Sequence, residues 1–508
     1  MLNLLVKHLP KDDTNSLDTL LGEFSAGMRW WHPRALALLL EAGADPNISL
    51  PGGLNPLLIS LSPYRGEGNE KNRCYKWGNE TIDFLLKHGA DPNGVPEKGW
   101  WTPLAAAIHG GCGVETIQRL ISNGAEVNID RYSLVDTAIG VKRHDALEVL
   151  LQAGANPNGN GNRIPLVNAA RRWETAEPAM RLLLQYGADP LHPTEDGSST
   201  AFHEICCGNH PIQLILESGV DLNVTDGSGC TPLIRATNTH WRWNSRLAAI
   251  ELIEAGANVH AVDHTGSSAL HFAASWGNLE VVRALLNKSL PLSARNNEGF
   301  TPLTTALKSY STPESHYRKE VCTTINFLLD EGADPLSTLP DGRTALHCIT
   351  GMLMNYSNVN RQQQLEQDNG EDYFTTASQL YQRFLDAGCD REAKDNEGNT
   401  PIFFYASGPK SDIRSNEPPS RPSNPEDYKK MFTEHDVHKI NYSGDSLLHV
   451  IARREEWPCD ADVGEGLFSA LVELGLSPWK ENNSGQTALD IAAAHEKQPI
   501  LALFARDD

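Results

Sequence analysis

Two short phrases alternate along almost the whole of this 508-residue chain, and a chain built that way is confined to architectures that stack like units. The first is LLLEAGADPN (38–47), which returns as FLLKHGADPN (84–93), RLISNGAEVN (119–128), VLLQAGANPN (149–158), LLLQYGADPL (182–191), ELIEAGANVH (251–260) and FLLDEGADPL (327–336). The second is WTPLAAAI (101–108), which returns as RIPLVNAA (163–170), CTPLIRAT (230–237), SSALHFAA (267–274), FTPLTTAL (300–307), RTALHCIT (343–350) and QTALDIAA (486–493). In the first phrase a leucine-rich helix runs into glycine, the residue that most easily takes the left-handed turn ending a helix. In the second, Thr or Ser stands before Pro or Ala and a run of small apolar residues, which predicts a capped helix start. Between the phrases lies D-x-x-G, as in Asp226–Gly229, Asp263–Gly266 and Asp395–Gly398, the chemistry of a β-hairpin or tight loop.

Each unit therefore reads hairpin, short inner helix, turn, outer helix. The expected capping positions are Thr19, Asn55, Thr102, Ser133, Ile164, Thr200, Thr231, Ser268, Thr301, Thr344, Thr400, Ser446 and Thr487, thirteen in all with the first the weakest. Their spacing is 31 to 37 residues between Thr102 and Thr301, then 43, 56, 46 and 41. Ser289 and Glu434 stand where the helix-ending glycine is expected. No unit can bury its apolar face alone, so neighbours must supply the core.

This pattern resembles the ankyrin repeat, carried by GADPN at 89–93 and SALHFAA at 268–274 and by the order of the phrases over nearly the whole chain. The resemblance implies an all-α repeat solenoid of about 12 to 13 ankyrin repeats, helix pairs joined by β-hairpin loops, whose relatives mostly bind proteins. It also implies that His203, His271, His347 and His449, which share one repeat position, hydrogen-bond near the Thr cap rather than form a metal ladder.

Lys plus Arg is 43 against 65 Asp plus Glu, a net charge of −22, which argues against a nucleic-acid binder and favours a basic partner segment. Nine scattered cysteines, none spaced C-x-x-C, suit free thiols in a reducing compartment. No window is apolar enough for a membrane span, and MLNLLVKHL is a poor signal peptide, so the expected location is cytoplasmic, with the nucleus as the alternative. Phosphate-loop, zinc-protease, kinase, nucleophile-elbow and dinucleotide signatures are all missing. The chain is read as not an enzyme, with no cofactor and no metal.

Residues 1–15 read as a capping or truncated repeat helix, which leaves open that the chain was cut from a longer protein, and 16–508 as a single array. Insertions at 62–80, 239–246, 311–320, 355–375, 408–425 and 456–464 fall between inner and outer helices, and the Pro- and Ser-rich 408–425 is expected to be disordered. The leading reading is a non-catalytic scaffold or adaptor that holds another protein through its hairpin tips and inner helices. The default contacts are Asp226, Asp263, His264, Asn297, Glu298, Asp341 and Glu397. Trp241, Trp243, Trp276 and Tyr310 form a second candidate, an aromatic edge that either binds a partner or packs under the longer loops. The alternatives are the recognition part of a larger multidomain protein and an enzyme with a pocket on the concave face.

Overall fold

The computed structural model describes residues 16–21, 33–49, 55–61, 79–94, 101–130, 132–159, 163–172, 176–208, 212–238, 245–311, 318–356, 373–407, 432, 435–454 and 461–504. The chain falls into two compact units, Met1–Asp221 and Leu222–Asp508. A helix begins directly after each of the twelve expected caps from Asn55 to Thr487. Thr19 departs from the expectation: it lies inside the helical residues 16–21 and is not a capping position. The insertion residues 62–78, 239–244, 312–317, 357–372, 408–431 and 455–460 lie outside the described residues, as do residues 1–15.

The caps work as the side-chain chemistry dictates. The hydroxyl oxygens of Thr102, Thr231, Thr301 and Thr487 each accept the backbone N–H three residues on, and Pro fills the first helical turn after Thr102, Thr231 and Thr301. Ile164 has no acceptor to offer, and its helix starts on Pro165 instead. At the outer helix ends the chain turns left-handed, with φ of 92° at Gly256 and 93° at Gly332. Ser289 takes the same turn with φ of 62°, as its place in the repeat requires. Glu434 lies outside the described residues.

Packing follows from residue size. In Pro103–His109 everything from Pro103 to Ile108 is buried, and the alanines let neighbouring helices come close. Ala269–Ser275 packs against Pro302–Tyr310 in this way. The outer helix Leu279–Leu286 buries Val281, Val282 and Leu285 behind it. Burying each such aliphatic side chain stabilises the stack by roughly 1.5–3 kcal/mol. Each unit is an all-α repeat solenoid. Among the described residues the expected β-hairpins amount to tight turns with three isolated antiparallel bridges, Ile129–Tyr132, Pro193–Thr200 and Val262–Ser268, because the arms are too short to extend a ladder.

Polar links also join one repeat to the next. The Asn that closes the first phrase donates through Nδ2 to the helix-ending glycine of the following repeat and accepts, through Oδ1, a backbone N–H two residues further on. Asn47 does so with Gly89 (2.9 Å) and Asp91 (2.7 Å). Asn93 does so with Gly124 (2.9 Å) and Glu126 (2.8 Å), and Asn128 with Gly154 (3.0 Å) and Asn156 (2.7 Å). In the second unit Glu392 holds the Asn position and accepts the Asp436 N–H at 3.2 Å.

Candidate functional site

In the second unit the turns between repeats form one row. An Asp or Asn at the head of most of these turns folds the turn onto itself: Asp263 Oδ1 accepts the N–H groups of Thr265 and Ser267, both at 2.9 Å, and Asn296 Oδ1 accepts those of Glu298 and Phe300. Successive tips are then tied backbone to backbone, except where Pro340, which has no N–H, holds the donor position facing the Asn296–Gly299 tip. His264 N donates to Ser228 O (3.0 Å), Asn297 N to Thr265 O (2.8 Å), Asn396 N to Asp341 O (2.9 Å), Tyr442 N to Glu397 O (3.0 Å) and Asn483 N to Ser443 O (3.0 Å). The approach is so close that a Cβ on Gly266 would meet Asn297 Oδ1 at 2.5 Å. Adjacent tips thus present their side chains at fixed spacing, within the pairs His264–Asn297, Asn396–Tyr442 and Tyr442–Asn483 among others.

The expected contact residues divide on this geometry. His264, Asn297, Glu298, Asp341 and Glu397 are exposed, and Asp263 is half-buried. Asp226 is corrected: its side chain is 0% exposed, because Oδ1 accepts the amides of Ser228 (2.8 Å) and Cys230 (2.9 Å) and Oδ2 accepts Arg235 Nε at 2.5 Å. Burial opposes its ionisation, but the amides of Cys230 and Ser228 and the Arg235 guanidinium outweigh it and hold the carboxyl below the usual range. Asp226 builds the turn and is not a contact.

Most of the exposed acids also have partners in their own repeat. Asp341 accepts Arg343 Nε at 2.7 Å, Glu397 accepts Asn399 Nδ2 at 3.1 Å, and Glu298 faces Lys308 at 3.8 Å. Asn297 spends its amide on His264 O at 3.0 Å. The acidic count of the tips therefore overstates the charge they offer a partner.

The aromatic edge divides too. Tyr310 takes the packing alternative and not the binding one: it is 3% exposed, buried at the end of its helix, and cannot line a surface. Trp276 is half-buried at the C-cap of Ala269–Ser275, and Trp241 and Trp243 lie outside the described residues. Sequence reasoning passed over Tyr442, which is 63% exposed at a tip, with Lys394 Nζ 5.2 Å from its ring centre. The signal was there: Tyr442 holds the same place in its turn as His264 and Asn297.

The repeated histidines are engaged structurally. His271 Nδ1 lies 2.9 Å from Ser268 Oγ and its Nε2 3.2 Å from Phe300 O of the next repeat. His347 repeats this with Thr344 and Asn399, and His449 with Ser446 and Gln486. Among the described residues no group of three or more His, Cys, Asp or Glu side chains is arranged to hold a metal ion. Cys206, Cys207, Cys230, Cys322, Cys348 and Cys389 are free thiols, as expected, whereas Cys112 departs from that expectation in being disulfide-bonded. Burial, with help from Asp226 and Asp263, pushes the Cys230 thiol up to about 11, and burial alone does the same for Cys322, so neither is a ready nucleophile. Among the described residues no helix is long and apolar enough to cross a membrane.

Capped inner helices, glycine-ended outer helices and stacked turns define a repeat protein of the ankyrin class. The family model for "Ankyrin repeats (3 copies)" matches residues 241–316, so this part of the chain carries ankyrin repeats. It is similar to B-cell lymphoma 3 protein of Homo sapiens, 30% identical over 240 residues that make up 44% of this chain and 50% of that protein. It is also similar to "Probable E3 ubiquitin-protein ligase XBOS32" of Oryza sativa subsp. japonica, 36% identical over 131 residues, 25% of each. The crystal structure of the ankyrin repeat domain of Bcl-3 is 26% identical, with a TM-score of 0.37, covering 45% of this chain and 98% of that one. The chain spans half or less of the length of these two curated relatives.

Proposed function

We propose that this chain is a non-catalytic protein-binding scaffold that holds a partner along the turn row and inner helices of its second unit, in the cytoplasm or nucleus. The observation that carries this reading is the tip-to-tip backbone bonding, which fixes exposed His264, Glu298, Glu397 and Tyr442 on a pre-ordered surface. Side chains held that way lose little freedom on binding, the condition under which a modest interface becomes a tight one. The buried histidines and Asp226 have structural partners, so they support binding rather than catalysis. Because the tip acids are largely paired within their own repeats, the reading favours a partner gripped by mixed polar and aromatic contacts over a purely basic segment.

The experiment compares the wild-type chain with a variant carrying His264→Ala, Glu298→Ala, Glu397→Ala and Tyr442→Ala as bait in an affinity pull-down read by mass spectrometry. Loss of a specific captured protein with an unchanged thermal melt supports the turn row. Full retention of that protein removes the row from consideration.

A second reading rests on the coverage of the relatives. The chain matches only 50% and 25% of their lengths, which favours a recognition part of a larger protein whose effector lies in other sequence. The relative named as a ubiquitin ligase makes a linked enzymatic activity the specific form of that alternative. Reading the genomic sequence on both sides of this chain distinguishes it from a stand-alone scaffold.

A further inference from the structure

We propose that the asparagine ladder of the first unit contains a spontaneous modification site at Asn93, protected from deamidation while the next repeat is docked and without its donating bond to that repeat once modified. Asn93 is followed by Gly94. Both ends of its side-chain amide are committed to the next repeat: Nδ2 donates to Gly124 O at 2.9 Å, and Oδ1 accepts the Glu126 N–H at 2.8 Å. The attacking group is held as well, since Gly94 N donates to Asp91 O at 3.3 Å.

The chemistry needs both groups to be released. Gly94 N, having given its proton to solvent base, attacks Asn93 Cγ. A C–N bond forms and closes a five-membered succinimide, while the Cγ–Nδ2 bond breaks and the nitrogen leaves as ammonia with a proton from solvent. Water then opens the ring at either carbonyl, giving aspartate or isoaspartate. Water is the only co-reactant and nothing is oxidised or reduced. Glycine in second place favours ring closure because it has no side chain to crowd the attacking nitrogen, and asparagine is among the thermolabile residues that hyperthermophilic proteins limit. While docked, the amide carbon is clamped toward Gly124 and Glu126, so attack waits on local opening of this junction.

The product restores only half of the link. A carboxylate can still accept the Glu126 N–H but has no N–H to donate to Gly124 O, and it adds a negative charge near the Asp91 carboxylate in a chain already at −22. Each opening that ends in deamidation therefore leaves the junction permanently weaker.

The test ages the full chain in mildly alkaline buffer and follows conversion at Asn93 by peptide mapping, folded and in denaturant. Conversion in the folded chain is expected to be at least about tenfold slower than in the unfolded one. In a second arm, Asn93→Asp is expected to raise amide hydrogen exchange at Gly124 to Glu126. A third uses Gly94→Ala, whose new Cβ meets only the side-chain Nδ2 of the cap residue Asn55 within 3 Å and is expected to slow conversion in both states. Equal rates in folded and unfolded chain overturn the proposal, and so does unchanged exchange at 124–126 in Asn93→Asp.

Discussion

At Ser289 the chain makes the left-handed turn that glycine makes in neighbouring repeats, with φ of 62° against 92° at Gly256. A side chain in that region costs about 1 kcal/mol, more if it is β-branched. Ser289→Gly should therefore stabilise the protein by about 1 kcal/mol in a denaturant melt. Gly256→Val should destabilise by about 2 kcal/mol and by more than Ser289→Val does, because position 289 already carries a side chain in that turn. Equal losses for the two valine variants would show that strain does not govern these helix ends. Residues whose role is set by their own backbone were legible in the sequence: the capping residues, Ile164 excepted, and the glycine stops needed only local chemistry. Asp226 was misplaced, and Tyr310 was left between two alternatives, because exposure is a tertiary property. Nothing in D-x-x-G says which aspartate an inner-helix arginine will cover, and nothing around Tyr310 says that its ring turns inward.

Between elements, side-chain links cross from one repeat to the next. The recurrence of Asn in the first phrase was plain in the sequence, but its partners lie a full repeat away, so its role was not. Asn128→Ala removes two such bonds and should cost about 1–2 kcal/mol, with faster hydrogen exchange localised at Gly154 to Asn156. Unchanged exchange there would mean that the ladder follows the stacking without supporting it. The histidine links carry a pH dependence. Burial, the largest influence, holds the pKa of His271 and His347 below the ordinary 6.5, although the carbonyls of Phe300 and Asn399 partly oppose it. A histidine kept neutral by folding contributes stability that is present above 6.5 and is lost as the pH falls through its folded-state value. The melting temperature should thus fall below pH 6.5, and His347→Asn should make the decline shallower. An identical decline in that variant would assign the acid sensitivity to the carboxylates.

At the scale of the whole molecule, asparagines and buried histidines among the described residues join one repeat to the next, and the tips of the turns stand exposed. The architecture was readable because repetition displays one local pattern many times over. The proposed binding surface was only half readable, since acidic residues that look available in sequence are paired by Arg343, Asn399 and Lys308 in the fold, while Tyr442 stands exposed in a place that sequence alone did not mark. The central claim, that the turn row meets the partner, is tested most directly by photo-crosslinking in cell extract. One photoreactive residue is placed at the tip position His264, and another at exposed Glu254 on the outer helix Ser245–Glu254. A discrete protein adduct from position 264, with none from position 254, is the result this account predicts. The same adduct from both positions, or one from position 254 alone, would contradict it.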